Sequence, residues 1–245
     1  MEQSLKRVRV ESGSKFIGMV FLYTFIALAI TAVTSAVIGL IFSRAVPVDY
    51  TAEIDYELLK PYIILLVVSA IAYIPLIIWI HVVAFKGRGR IDIPFVTYAI
   101  VMGILISSFT MFVPFYLIAI SFGITCLVFG SLSLIGLTSK KNLSFLGLVA
   151  GGIFMGAFML SMFNLIWSLV FPATFSNMYW LISFAIFFAM MLVTIFDVYR
   201  VKQIARSGEN STNVALFCAF NLYVDFIYIF LRVLMVVIRI FGRSR

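Results

Sequence analysis

The sequence predicts an all-α polytopic membrane protein, and three observations carry that prediction. Of the 245 residues, 64% are hydrophobic and 11% charged, against roughly a quarter charged in soluble domains. The apolar residues fall into seven runs, at roughly 16–42, 61–85, 94–112, 115–137, 143–170, 177–199 and 214–240, each close to the ~20 residues that carry a helix across the hydrocarbon. None of the runs alternates polar with apolar, as short strands of a closed β-barrel would, and that barrel is the other way to satisfy every backbone group in lipid. One seven-helix domain, 16–240, then takes nearly the whole length, with a basic cytoplasmic tail at 1–15 and a short basic tail at 241–245. No room is left for a soluble catalytic domain, so the chain is expected not to be an enzyme.

The first run follows Lys6, Arg7, Arg9 and Lys15. That outline is shared with signal peptides, but their apolar cores run about 7–15 residues, and this run is read as an uncleaved first span. The break between spans 3 and 4 rests on Pro114 and the preceding 108–112 stretch, and the break between spans 5 and 6 on Pro172, Ser176 and Asn177. Span 5 carries Gly147, Gly151, Gly152 and Gly156, at the four-residue spacing that lets helices approach closely; helix packing is the expected role. Span 6 closes on Asp197, with Arg200, Lys202 and Arg206 read as the loop that follows.

Charge sets the expected orientation. The N-terminal tail and the loops after spans 2, 4 and 6 hold twelve Lys/Arg, whereas the other side holds Arg44 and Lys60 beside Asp49, Glu53, Asp55 and Glu57. The positive-inside rule places the N-terminus in the cytoplasm. Seven full spans would put the C-terminus outside, while Arg239, Arg243 and Arg245 argue for the inside. The net charge of +8 is spread over short loops, a topology signal that gives no reason to expect nucleic-acid binding. Cys126 and Cys218 fall inside apolar runs and read as packing residues. A single histidine and no cysteine cluster leave no zinc-type site, and no cofactor is expected. Short loops favour a bacterial plasma membrane over the endoplasmic reticulum.

Two aspartates stand out against this background. No charged residue occurs between Asn142 and Phe196, so Asp197 is isolated, and Asp225 lies well inside the last run. An ionisable group in a spanning helix costs a few kcal/mol or more and usually marks an ion path, a proton relay or a locked ion pair. Asn221, Asp225, Arg232 and Arg239 follow one another at intervals of four, seven and seven, nearly one helical face, with Tyr228 at its border. Such a stripe should face protein or water, which surrounds the last helix with the others. Asp225 could be an ion pair with Arg232, about 10 Å along the axis, or a proton or cation site. Asp197 could be a helix-end salt bridge to Arg200. Taken together, two nearby carboxylates can share a proton and offer oxygen ligands to Ca²⁺, too few for a tight site and better suited to a transient one. His81 and Lys86, at the same end of the molecule as Asp197, are further basic candidates; Lys86 also belongs to the cytoplasmic cluster and His81 could be a cap.

The stretches 195–199 (Ile-Phe-Asp-Val-Tyr), 221–227 (Asn-Leu-Tyr-Val-Asp-Phe-Ile) and 230–232 (Phe-Leu-Arg) resemble the Bax inhibitor-1 (transmembrane BAX inhibitor motif) family. Ser121-Phe122-Gly123 through Gly136, and Lys140 through Gly147, are similar to its middle region. The resemblance covers about residues 95–240 and is weak over the first two spans. It implies two three-helix layers around a central last helix, and a pH-sensitive Ca²⁺ leak gated by a hydrogen-bonded aspartate pair on helices 6 and 7, the positions of Asp197 and Asp225. In bacterial members an arginine at the end of helix 2 locks the pair; here Lys86 is nearest, without arginine's bidentate fork.

The leading expectation is therefore a pH-gated cation leak with Ca²⁺ as the permeant ion and the bilayer, Ca²⁺ and protons as partners. The alternative is a non-transporting regulator that binds other membrane proteins, such as proteases or cell-death factors. An intramembrane aspartyl protease is disfavoured: a Gly-x-Gly-Asp motif is missing and neither aspartate follows a tyrosine. No His-Glu-x-x-His or Gly-x-Ser-x-Gly motif is present either.

Overall fold

The computed structural model describes residues 2–42, 56–86, 89–170, 176–208 and 211–241. They form seven helices: α1 (Glu2–Phe42), α2 (Tyr56–Lys86), α3 (Asp92–Phe112), α4 (Phe115–Thr138), α5 (Ser144–Val170), α6 (Ser176–Ser207) and α7 (Thr212–Phe241). Arg44, Asp49, Glu53, Asp55, Pro172, Arg243 and Arg245 lie outside the described residues, as do residues 87–88. Six helices are long and apolar enough to cross a membrane. The seventh, α7, is about 45 Å long at 1.5 Å per residue, more than the ~30 Å hydrocarbon thickness.

Proline chemistry explains the tightest break. Pro114 cannot donate its missing N–H to continue α3, and it pushes the residue before it out of the helical region. Val113 is accordingly extended (φ −112°, ψ 129°), and α4 starts at Phe115. Three boundaries differ from the sequence reading. α1 begins at Glu2, so the basic tail is helical from that residue on and continuous with the first span. Glu57 and Lys60, assigned to a loop, sit in the first turns of α2 as an exposed ion pair of 2.6 Å. α6 runs to Ser207, so Arg200, Lys202 and Arg206 are helical rather than looped. Cations in a last turn oppose the helix dipole favourably, and Gly208, at φ +87°, supplies the left-handed residue that ends the helix.

The helices form two layers. α1 and α2 both pack on α3 in one; α4 and α5 both pack on α6 in the other; α1 also meets α6 where the layers join. α7 lies between them, in contact with α1, α2, α3, α4 and α6. Its buried residues cover more than half of its circumference, and none of its residues from Asn213 to Leu234 is exposed, as expected of a helix largely enclosed by protein. Aromatic rings pack it on both sides. Phe95 and Tyr98 from α3 meet Phe220 and Tyr223 edge-on at 5.1–5.9 Å between centroids, and Phe122 and Phe129 from α4 meet Phe226 at 5.6 and 5.4 Å.

Pairings between helices fix their directions. Thr24 and Thr31 of α1 bond Ala219 and Tyr223 of α7 respectively, so α1 and α7 run parallel and their far ends, Phe42 and Phe241, lie at the same end of the bundle. Close approach depends on glycine, though in span 5 not on Gly151, Gly152 or Gly156. A Cβ on Gly103 would stand 2.8 Å from the Thr31 carbonyl oxygen of α1, and one on Gly136 would stand 2.8 Å from the Ile195 carbonyl oxygen of α6. By contrast Gly151, Gly152 and Gly156 have no described atom within 4 Å of a built Cβ. They occupy an exposed face of α5, whereas Gly147 lies against the Phe196 ring of α6.

Candidate functional site

Of the polar residues on α7, Asn221, Tyr228 and Arg232 are half-buried and Asp225 is buried. Asp225 is 3% exposed, and its Oδ2 has no hydrogen-bond partner. From α6, Thr194 and Asp197 both lie close enough to act on the carboxyl group, and the Thr194 hydroxyl donates to the Met190 carbonyl at 2.9 Å.

Asp197 stands between this enclosed acid and the end of the bundle. It is half-buried and lines a cavity of about 110 Å³ together with Arg200, Val201, Phe217, Cys218 and Asn221, large enough to admit water. α6 and α7 form its walls. Asp197 is near enough to Asp225 for their charges to interact, with no hydrogen bond between the two among the described residues, and the helix-end reading of Asp197 does not hold, since it lies ten residues before the end of α6. Neither aspartate forms an ion pair with a described residue. Arg200, exposed one turn beyond Asp197, is the basic residue whose charge reaches it.

The other basic candidates are placed elsewhere. Arg232 turns away from Asp225: Nη1 donates to the Ser183 hydroxyl at 2.5 Å, Nη2 donates to the Tyr228 hydroxyl at 3.0 Å, and the guanidinium lies 5.3 Å from the Tyr228 ring centroid. Two turns of helix are too far for a carboxylate to compete with these neighbours. His81 donates from Nδ1 to the Ile77 carbonyl of its own helix at 2.8 Å, and its ring stands edge-on to Phe217 and Phe220. Phe217 is a wall of the Asp197 cavity, so one aromatic ring separates His81 from it. Lys86 is exposed at the end of α2 and bonds no described residue. Asn221 lines the cavity as the polar stripe implied. Cys126 and Cys218 are free thiols. Among the described residues no group of three or more His, Cys, Asp or Glu side chains could hold a metal ion.

Sequence reasoning missed Thr194, whose only signal is its position three residues before Asp197, on the side of α6 that Asp197 shares. It also missed two hydroxyl contacts that fasten α7 to α1. The Tyr223 and Thr31 hydroxyls are 2.6 Å apart, and the Thr31 hydroxyl also lies 2.9 Å from the Ala99 carbonyl and 3.0 Å from the Ala27 carbonyl. Thr31 has one proton, which goes to a carbonyl, so Tyr223 is the donor to Thr31. On another face of α6, Lys202 Nζ donates to the Ser139 carbonyl at the end of α4, at 2.7 Å, which ties α6 to α4.

Comparison with known proteins extends the resemblance to the whole bundle. The family described as "Inhibitor of apoptosis-promoting Bax1" matches residues 13–244, including the first two helices. The chain is 27% identical over 195 residues to the Inner membrane protein YbhL of Escherichia coli strain K12, covering 77% of this chain and 79% of the relative. The YbhL protein of Escherichia coli O6:H1 strain CFT073 matches to the same extent. Seven helices, six of them fit to cross a membrane, around a core that encloses an aspartate, agree with a match that runs from the first span to the last: the chain is a multi-pass membrane protein and belongs to the Bax inhibitor-1 family.

Proposed function

We propose that the protein is a pH-sensitive cation leak, with Ca²⁺ as the permeant ion, gated by Asp197 and Asp225, in a bacterial plasma membrane with its N-terminus in the cytoplasm. The observation that carries this reading is the enclosed Asp225 carboxyl, with an unpartnered oxygen, on the central helix. A buried carboxylate without a cation is costly. A proton relieves that cost, and so does a passing cation. Asp197 lies on the cavity side of Asp225 and is the group through which either would arrive.

In this mechanism the proton content of the pair selects between two packings of α6 against α7, and pH shifts their populations. The groups facing the pair are Thr194 and Arg200 from α6 and Cys218 and Asn221 from α7, with His81 of α2 behind Phe217. Arg200 is the cation suited to hold Asp197 when that group is ionised, in place of a basic residue on α2. No catalytic role is assigned to either aspartate. The experiment is Ca²⁺ flux into liposomes carrying purified protein, across about pH 6 to 8, for the native chain and Asp225→Asn. A pH-dependent flux that becomes pH-independent in the variant supports the gate. No flux above empty liposomes from folded protein at any pH refutes it and favours the non-transporting regulator of other membrane proteins.

A further inference from the structure

A second cavity, of about 490 Å³, opens at the other end of α7. Its size falls within the roughly 300–1,000 Å³ of small-molecule sites. Ile124 and Val128 of α4, Phe184 and Phe187 of α6, and the last turns of α7 line it. Phe184 and Ile240, 61% and 64% exposed, stand at its rim, so the cavity communicates with the lipid face. In this apolar hollow sits Arg232, seven residues past Asp225, with Arg239 two turns further on.

Arg232 has only neutral partners. Ser183 and Tyr228 each take one N–H, leaving three of its five donors, and no described acid forms an ion pair with it. A charged side chain at membrane depth needs a counter-charge. The cavity it lines opens to lipid, so the counter-charge within reach is a lipid headgroup. Guanidinium is suited to phosphate because it offers parallel donors in a fixed plane. We propose that this cavity binds one anionic phospholipid from the leaflet at the α7 C-terminal end. Its phosphate rests on Arg232, held in place by Ser183 and Tyr228, and an acyl chain lies along Ile124, Val128, Phe184 and Phe187.

The test is lipid retention by the detergent-purified full chain, read by native mass spectrometry after mixing with phosphatidylglycerol and phosphatidylcholine. The native chain is expected to hold one phosphatidylglycerol in preference to phosphatidylcholine by about tenfold, the scale of a charge-assisted contact. Arg232→Gln should bring the two to near parity, Arg232→Lys should keep part of the preference, and Arg239→Gln should keep most of it. Equal retention by the native chain overturns the proposal. So does a preference that survives Arg232→Gln in protein with the native melting midpoint, or one abolished by Arg239→Gln alone, which would reduce it to interfacial charge. A photoactivatable phosphatidylglycerol needs no variant: its acyl label should land on the peptide around residues 182–188, and labelling confined to other segments refutes the site.

Discussion

Among the described residues, buried polar side chains divide into those whose bonds are complete and three, Ser35, Ser133 and Asp225, that keep a polar atom without a partner. Tyr223 and Thr31 belong to the first kind. Thr31→Val keeps the shape but strands the Tyr223 hydroxyl, and leaving such a donor unpaired costs about 1–3 kcal/mol. The melting midpoint in detergent should fall for Thr31→Val, while Thr31→Val with Tyr223→Phe should lose less than the two single changes added together. An additive double variant would show that the hydroxyls are not coupled. Asp225 belongs to the second kind, since its Oδ2 is enclosed without a partner. A carboxyl kept for stability would be missed when neutralised. We expect Asp225→Asn to melt no lower than the native chain while changing flux, because an unpaired buried carboxylate is a liability to folding. A midpoint well below native would mark Asp225 as structural instead.

Among the elements, apolar runs predicted where helices lie, and a two-residue break at Val113–Pro114 was readable because proline leaves no alternative. The enclosure of α7 was readable too, from Asn221 and Asp225 in the middle of a helix that could not show them to lipid. Which helices touch most closely was not readable. The four-residue glycine spacing of α5 promised close packing, yet Gly151 and Gly152 face outward, whereas Gly136, without such a partner four residues away, sits where α4 presses on the backbone of α6. Spacing records what a helix permits, and the neighbour that uses it comes from the rest of the fold. Gly136→Ala drives a methyl against the Ile195 carbonyl oxygen, a backbone atom that cannot swing aside, and should destabilise by about 1–3 kcal/mol. Gly152→Ala, in open space, should hold or gain up to about 1 kcal/mol from helix propensity. Thermal melts of the two variants check this, and equal effects would contradict the close approach of α4 and α6.

At the scale of the whole molecule, the sequence singled out Asp197 and Asp225 and named Arg200 as a partner of Asp197, but only as one of several basic candidates and as part of a loop. Lys86 and His81 share their end of the bundle, yet choosing Arg200 requires knowing that α6 continues as a helix past residue 199, which a run of charged residues hides. The same continuation bears on the conflict over the C-terminus. Arg239 and the cations after it argue by charge for the same side as the N-terminus, while the hydrogen bonds argue otherwise. Thr24 to Ala219 and Thr31 to Tyr223 make α1 and α7 parallel, and a Cβ on Gly13 would stand 3.1 Å from the Ala205 carbonyl oxygen, so the early turns of α1 lie beside the end of α6. Charge bias orients a chain during insertion, but a helix enclosed by five others is held by its packing. With Cys126 and Cys218 replaced by alanine, single cysteines at Ser14, Gln203 and Ile240 should therefore fall into two classes toward a membrane-impermeant maleimide. Ser14→Cys and Gln203→Cys should react together, from the cytoplasmic face in inverted vesicles, and Ile240→Cys only from the opposite face. Labelling of all three from one face would mean that α7 does not cross, and the parallel arrangement of α1 and α7 would have to be abandoned.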